Sequence, residues 1–261
     1  MVDENYEYRG LMAQTWDLFR GDTSRWVDRF FFHEMVLKHG QPVLDVGCGT
    51  GRILLDFLSL GLDIDGIDNS PDMLVLCRQK GENMGLIPTL FEQTMTTLAL
   101  PRQYQTILVP SSSFQLLLDD ESAAEAMRRF YDHLLPGGVL VMPFMIIWQA
   151  GDPLETEWEL SREVTRPEDN TLVRRWSRAW YDVVAQLEHT EDRYEIFHDG
   201  TMVAQEHYRR SPATRWYSQQ QAIQLYETAG FTDIQLFHEF SQESAGPTDT
   251  IFPIVGVKKA K

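Results

Sequence analysis

The sequence predicts an α/β fold: a doubly wound, mostly parallel sheet, with a smaller antiparallel β insertion late in the chain. Three observations carry this expectation. Short apolar runs alternate with helical patterns over residues 42–144, as buried parallel strands and crossover helices require. A glycine-rich turn, Gly47-Cys48-Gly49-Thr50-Gly51, joins the first run to the first helix. From about Gly151 to Trp216 the texture changes to alternating, aromatic-rich segments divided by turns.

Composition limits the partners. The chain has 261 residues, 43% of them hydrophobic and 24% charged, which is ordinary for a globular protein with an ample core. Its formal net charge of −16 argues against nucleic acid or an anionic membrane, both of which need a basic surface. Two cysteines supply no disulfide framework. No apolar run approaches the ~18 residues of a membrane span and no signal peptide is read, so the expected location is cytoplasmic. His189, His198 and His207 do not follow a metal-ligand spacing, and no metal is expected.

The elements follow in order. Residues 1–40 read as helical, with Tyr6, Tyr8 and Trp16 first and then Val27, Phe30, Phe31 and Met35 on one face. Val43, Leu44 and Val46 form a buried strand, and Ile53, Leu54, Phe57 and Leu58 a helix that stops at Gly61. The glycines thus lie in a strand-to-helix turn, where helix N–H groups are free and a ligand can touch backbone. The next run, Leu62 to Ile67, ends in Asp68, a carboxylate at a strand tip that can accept hydrogen bonds from both hydroxyls of a ribose. This is a nucleoside-binding βαβ unit. The dinucleotide fingerprint G-x-G-x-x-G wants glycine at position 52, where Arg stands; instead Asp45 precedes the turn by two residues.

The form Asp45-x-Gly47-x-Gly49-x-Gly51, with Asp68 at the next strand end, resembles motif I of the class I S-adenosylmethionine-dependent methyltransferases. The resemblance implies a Rossmann-like sheet of seven strands whose last strand is antiparallel, and S-adenosylmethionine as cofactor. That cofactor carries an ammonium and a sulfonium but no phosphate, so an acid near the turn suits it where a pyrophosphate would want a helix N-terminus. By the same resemblance Gly47, Cys48 and Gly49 pass the methionine portion and Asp68 holds the ribose. Asn69 and Met73 line the adenine side, and Trp16, beside Asp17 where relatives carry Tyr-Asp, belongs to a lid. Arg25 and Arg29 stand open as partners for the cofactor carboxylate.

After Asp68, Ser70 is an N-cap, Pro71 the first helical residue and Asp72 an acid in the first turn of a helix to about Lys80. In Thr89 to Pro101 the family's adenine-reading Asp falls on Thr94, which brings no charge, followed by Met95. The fourth strand, Thr106 to Val109, breaks at Pro110; Pro110, Ser111 and Ser112 border the sulfonium and Phe114 looks toward the acceptor. Relatives often show Ser-Phe-x-His-Leu here, whereas this chain reads Ser113-Phe114-Gln115-Leu116, so that His is missing and no catalytic residue is named. A helix from about Glu121 to Leu135 leads through Pro136-Gly137-Gly138, a tight turn, into the strand Val139 to Phe144. Ser218 caps a helix closed by Gly230, and strands Phe231 to Phe240 and Ile251 to Val257 complete the sheet.

The expected organisation is a cofactor-binding core of residues 1–150 and 217–261, with 1–40 as an N-terminal helical lid, and a β-rich insertion of three or four strands at 151–216 over the acceptor pocket. The expected activity is methyl transfer to N or O of a small molecule, similar to the glycine/sarcosine and aminosugar N-methyltransferases; monomer and homodimer stay open. A nicotinamide-dependent oxidoreductase is disfavoured by Arg52 and Ile53. A non-catalytic S-adenosylmethionine-binding sensor or partner protein is kept open by Thr94 and the absent His.

Overall fold

Residues 8–260 are described in a computed structural model of the chain. They form two compact units, residues 24–147 with 216–260, and residues 8–23 with 148–215. In chain order, α1 (Gly10–Gln14) and α2 (Trp16–Arg20) are followed by α3 (Val27–His39), β1 (Val43–Val46), α4 (Leu54–Ser59), β2 (Ile64–Asp68) and α5 (Pro71–Asn83). Next come β3 (Thr89–Glu92), β4 (Tyr104–Leu108), a single 3-10 turn (Ser113–Leu116), α6 (Asp120–His133) and β5 (Leu134–Met145). Strands β6 (Glu159–Thr165), β7 (Leu172–Asp182), β8 (Leu187–His198) and β9 (Thr201–Arg215) precede α7 (Gln219–Ala229), β10 (Phe231–Leu236) and β11 (Ile251–Lys258).

The larger unit is a seven-stranded sheet in the order β10-β11-β5-β4-β1-β2-β3. Strands β3, β2, β1, β4 and β5 run parallel, and β11 lies antiparallel between β5 and β10. The order reverses beside β1, so the crevice outside the carboxyl ends of β1 and β4 is where such sheets take ligands. Every residue of β1 and β2 is buried, as apolar runs covered on both faces demand. One face packs on α6 and α7 through Phe130, Ala126 and Tyr226, the other on α3, α4 and α5 through Phe32, Leu54 and Leu74. Phe57 and Phe130 are fully buried, each contributing roughly 1.5–3 kcal/mol.

The local signals hold at several ends. Ser70 Oγ accepts the Met73 N–H at 3.1 Å ahead of Pro71. Ser218 and Gln221 make a full capping box, and Gly230 closes α7 in the left-handed region at φ 95°. Other boundaries differ. Strand β5 starts at Leu134 and runs through Pro136-Gly137-Gly138 instead of beginning after a turn; the register shifts opposite Tyr104–Thr106. Gly138 permits this because a Cβ there would lie 2.9 Å from the carbonyls of Gln105 and Leu135. Helix α5 continues past Lys80 to Asn83, through a buried Gly81. Strand β10 stops at Leu236, after which Phe237 bridges to Ser244.

The smaller unit is a four-stranded antiparallel sheet, β6-β7-β8-β9, with α1 and α2 on one face. Leu11 and Met12 of α1 close over Val173, Tyr194, Ile196 and Tyr208. The Leu11 N–H donates to Glu206 at 2.7 Å and the Tyr208 hydroxyl to the Arg9 carbonyl at 2.8 Å. On alternate positions Trp176, Trp180 and Arg178 stand on β7 and Glu191, Arg193 and Glu195 on β8. Of the two helical segments expected in residues 1–40, the first, α1 and α2, clusters with this sheet and the second, α3, with the larger one; Tyr6 lies outside the described residues. The sequence reading also lacked the β7–β8 turn, where Asp182 Oδ1 accepts the N–H groups of Val184 and Ala185.

Candidate functional site

The site grows from the end of β1. Gly47, Gly49 and Gly51 all have left-handed backbones, at φ 71°, 54° and 88°. Each is needed for a different reason. A Cβ on Gly47 would meet Ser113 Oγ at 2.9 Å, so the turn fits against the segment after β4. A Cβ on Gly51 would meet Cys77 Sγ and Leu55 at 2.7 Å, so the turn is pressed onto its own helix. Around Gly49 nothing lies within 4 Å of that position: this glycine faces open space.

Backbone bonds hold the turn in shape. The N–H groups of Gly47 and Cys48 both donate to the Ile67 carbonyl, at 2.8 and 2.9 Å, and Gly51 N–H donates to Cys48 at 2.9 Å. Gly49 N–H donates to Asp68 Oδ2 at 2.8 Å, while Asp68 Oδ1 accepts the Ser70 N–H at 2.8 Å. The carboxylate at the tip of β2 is thus fixed by backbone donors on both of its oxygens. Burial pushes the Asp68 carboxyl up, and N–H donation from Ser70, Gly49 and Asn69 opposes that rise.

Asp45 is the second acid of the site. It is 1% exposed, and its Oδ1 has no hydrogen-bond partner among the described residues. Desolvation dominates and raises its pKa to about 7; Arg52 and the Leu54 N–H pull it down, and Asp68 pushes it further up. A buried carboxylate oxygen without a donor calls for a cation or a donor from outside the chain. Together with the open face of Gly49 and the fixed Asp68, this fits a nucleoside bearing an ammonium and a sulfonium, and it repels a pyrophosphate.

Two pairs from adjacent residues of α3 brace the turn, and the sequence reading missed both. Asp28 takes both guanidinium nitrogens of Arg52, with only 10% and 11% of the two side chains exposed, and Arg52 lies over the Trp26 ring at 5.1 Å. Arg29 donates to Asp56 on α4 at 2.7 Å. Arg29 is therefore committed to α4 and does not stand open for a cofactor carboxylate, whereas Arg25 is exposed. No periodicity carries such pairs; each joins residues more than twenty apart.

The remaining expected residues divide. Cys48 is buried, and Pro110 is buried at the end of β4. Asn69 is exposed beside Asp68, while Met73 is 1% exposed, its side chain inside the fold. Met95 packs on the core from a half-buried position. The Thr94 hydroxyl bonds those of Thr96 and Thr97 at 3.0 and 2.8 Å and accepts the Thr97 N–H at 3.1 Å. Trp16 lies in the other unit, against Tyr8 and under Arg20, whose guanidinium is 4.0 Å from its ring centre.

The segment after β4 differs most from expectation. Phe114 does not look toward an acceptor; it is 1% exposed and packs edge-on against Phe144. Gln115, fully buried, donates to the Met145 carbonyl at 2.9 Å and accepts the Met145 N–H at 2.8 Å. The side chain acts as a missing strand neighbour for the end of β5. Ser111 takes a left-handed backbone at φ 59°, and Ser113 Oγ donates to the Pro110 carbonyl at 2.9 Å.

Comparison with known proteins agrees with this geometry. A family model described as a methyltransferase domain matches residues 43–138. A putative methyltransferase of Geobacillus is 23% identical over 206 residues, 79% of this chain and 80% of that one. The dTDP-3-amino-3,4,6-trideoxy-alpha-D-glucopyranose N,N-dimethyltransferase of Streptomyces venezuelae is 31% identical over 132 residues, 51% of this chain and 52% of that one. Apart from the Geobacillus protein, the chain spans about half the length of the curated relatives it matches. Among solved structures, a S-adenosylmethionine-dependent methyltransferase from Clostridium acetobutylicum superposes with a TM-score of 0.75, covering 96% of this chain and 98% of that one at 16% identity. The Streptomyces venezuelae protein DesVI follows at 0.72, covering 96% and 100% at 22% identity. The glycine turn and the two acids beside it thus fall in or at the edge of the stretch that resembles a methyltransferase domain, and the chain shares its fold with solved S-adenosylmethionine-dependent methyltransferases.

Proposed function

We propose that the protein methylates a nitrogen of a small molecule. The observation that carries the nucleoside half of this reading is the open Gly49, bonded to the buried Asp68, in a turn that follows the buried Asp45. When bound, S-adenosylmethionine supplies an electrophilic methyl group on a sulfonium. Asp68 accepts from the ribose hydroxyls with the lone pairs its backbone donors leave free. The unpartnered Asp45 oxygen balances the positive charge of the methionine portion. Asn69 and the backbone at Met95 border the adenine. Thr94 contributes little, because its hydroxyl is already engaged by Thr96 and Thr97.

The choice of nitrogen rests on what the segment after β4 lacks. Residues 110–117 contain no His, Asp, Glu or Lys, and Gln115 is turned onto β5. An alcohol needs a base to become a nucleophile, whereas a neutral amine already has its lone pair. Such a site works by aligning the acceptor and excluding water. Relatives named for amino-sugar and glycine/sarcosine N-methylation support the same class.

Calorimetry with S-adenosylhomocysteine tests the nucleoside half: micromolar-range binding is expected, and Asp68→Ala should weaken it by about 1.5–3 kcal/mol. Unchanged affinity in that variant removes Asp68 from the site. Labelled methyl transfer to a panel of primary amines, amino sugars, phenols and carboxylates tests the acceptor half. Label on phenols alone overturns the nitrogen reading. No label on any acceptor, with tight S-adenosylhomocysteine binding, favours the non-catalytic binding protein that the Gln115 clamp also suits.

A further inference from the structure

The smaller unit carries a cleft that no step of the proposed methyl transfer uses. Residues 148–156 fold back as a strap along the end of β7. Tyr181 N–H donates to the Leu154 carbonyl at 2.9 Å and Thr156 N–H to the Ala179 carbonyl at 2.8 Å, while Glu155 bridges to Trp180. The start of the strap is fixed as well: Gln149 N–H donates to Asp152 Oδ2 at 2.8 Å, and the Trp148 indole N–H to the Pro153 carbonyl at 3.3 Å. Between the strap and the β7–β8 turn lies a cleft of about 760 Å³, a size suited to a small molecule.

The walls are aromatic and the charge is negative. Trp148, Trp180 and Tyr181 line the cleft, with Asp182 and His189 as its other polar residues. Leu154 and Val184, also in the lining, are 58% and 97% exposed. Trp180 is already engaged: His189 stacks on it with ring centres 5.2 Å apart, and Arg209 stands 5.6 Å from its centre. Against the Trp148 ring no other ring and no guanidinium lies among the described residues. Asp182 Oδ1 takes the N–H groups of Val184 and Ala185, and Oδ2 makes no hydrogen bond among the described residues. No Lys or Arg lines the cleft. Burial holds the His189 imidazole below its ordinary value against the opposing pull of Asp182, so near neutral pH Asp182 is the ionised group of the lining. The guanidiniums that reach Trp180, Arg178 and Arg209, both pair with Glu191.

We propose that this cleft binds an organic ammonium ion with alkyl groups on its nitrogen, against the Trp148 and Tyr181 rings and beside the Asp182 carboxylate. Such an ion spreads its charge over C–H surface, so it wants aromatic faces and a nearby anion more than hydrogen-bond acceptors. An anionic guest meets Asp182 with no cation in the lining to receive it. A neutral apolar guest would strip water from that carboxylate and give nothing back. The inference concerns this cleft alone and does not rest on the nitrogen reading.

The test titrates the full chain with choline and with 3,3-dimethylbutan-1-ol, which has the same shape but carbon in place of the charged nitrogen. Choline is already quaternary and accepts no methyl group, so binding is read apart from turnover. The readout is the indole N–H resonance that Trp148→Phe deletes from the NMR spectrum. Choline should shift it saturably with a Kd on the order of 1 mM, and the alcohol should bind at least about fivefold more weakly. Asp182→Asn keeps an oxygen for Val184 and Ala185 but no charge; it should weaken choline by at least about threefold and leave the alcohol unchanged. Trp148→Leu should weaken choline too, read by calorimetry; if thermal unfolding shows that variant to be unstable, Asp182→Asn and the isosteric pair decide. Equal affinity for choline and the alcohol, a Trp148 resonance that choline does not move, or undiminished choline binding by Asp182→Asn each overturns the proposal.

Discussion

Asp45 ties the stability of the fold to the ligand it awaits, and the link is measurable. Its carboxyl is raised from an ordinary 3.8 to about 7, chiefly by desolvation. In the unfolded chain it ionises near its ordinary value, so between those two limits the folded state holds the proton more tightly. Stability is then fully present below pH 4, is lost as pH rises toward 7, and falls no further from this group above that. At ~1.4 kcal/mol per pH unit the loss has a ceiling of about 4 kcal/mol. The isosteric variant Asp45→Asn cannot ionise. Its buried amide adds a roughly constant cost of about 1–2 kcal/mol where the unpartnered oxygen now lies. Urea unfolding of both proteins at pH 4, 6 and 8 should show the variant weaker or equal at pH 4. Its relative stability should then climb by several kcal/mol before levelling above pH 7. A difference that is the same at pH 4 and pH 8 refutes the reasoning. S-adenosylhomocysteine adds a second readout. A cation placed against Asp45 lowers its pKa, so binding near neutral pH should release a proton from the wild type and none from Asp45→Asn, visible as a buffer-dependent binding enthalpy.

The glycines of the turn should separate stability from binding. Gly51→Ala forces a side chain at φ 88° into Leu55 and Cys77, so thermal unfolding should show a loss above about 2 kcal/mol. Gly49→Ala at φ 54° points into open space; its stability should drop by only about 1–2 kcal/mol while calorimetry shows binding abolished. Arg52→Ala leaves Asp28 buried without its fork, a loss near 3 kcal/mol in chemical denaturation. Arg52→Lys should recover only part of it, because an ammonium cannot make both bonds. Gln115→Leu leaves the Met145 N–H and carbonyl without partners, for about 2–4 kcal/mol by the same measurement, and a loss below about 0.5 kcal/mol would show that other groups satisfy them.

What was legible in the sequence was whatever is encoded over a few neighbouring residues. The β1 run, the glycine spacing, the acid ending β2, the Ser70 and Ser218 caps and the Gly230 stop all depend on contacts within about five positions, and each appears where local chemistry puts it. The β7–β8 turn was lost for the converse reason. Val183-Val184-Ala185-Gln186 carries none of the usual turn residues, and the reversal is made by one Asp182 oxygen and a left-handed Gln186 at φ 57°. The run through Pro136-Gly137-Gly138 failed in the other direction. Its residues spell a turn, but the tertiary approach of Gln105 makes use of Gly138 inside a strand.

The sequence offers the candidate site as separate residues, without their arrangement. Asp45 and Asp68 are both acids beside a glycine turn, and nothing in their spacing says that one is held by backbone donors on both oxygens while the other keeps an oxygen bare. That asymmetry comes from position in the sheet. Asp68 ends its strand, where N–H groups of the following loop are free to turn back. Asp45 lies within β1, flanked by β2 and β4, and is 1% exposed. A chain selected for stability alone would replace such a carboxylate with an apolar or amide side chain, since desolvation opposes it throughout neutral pH. Its presence beside the turn whose Gly49 faces open space is the feature that a positively charged ligand would account for, since the arrival of such a ligand would turn an unfavourable buried ionisation into an interaction.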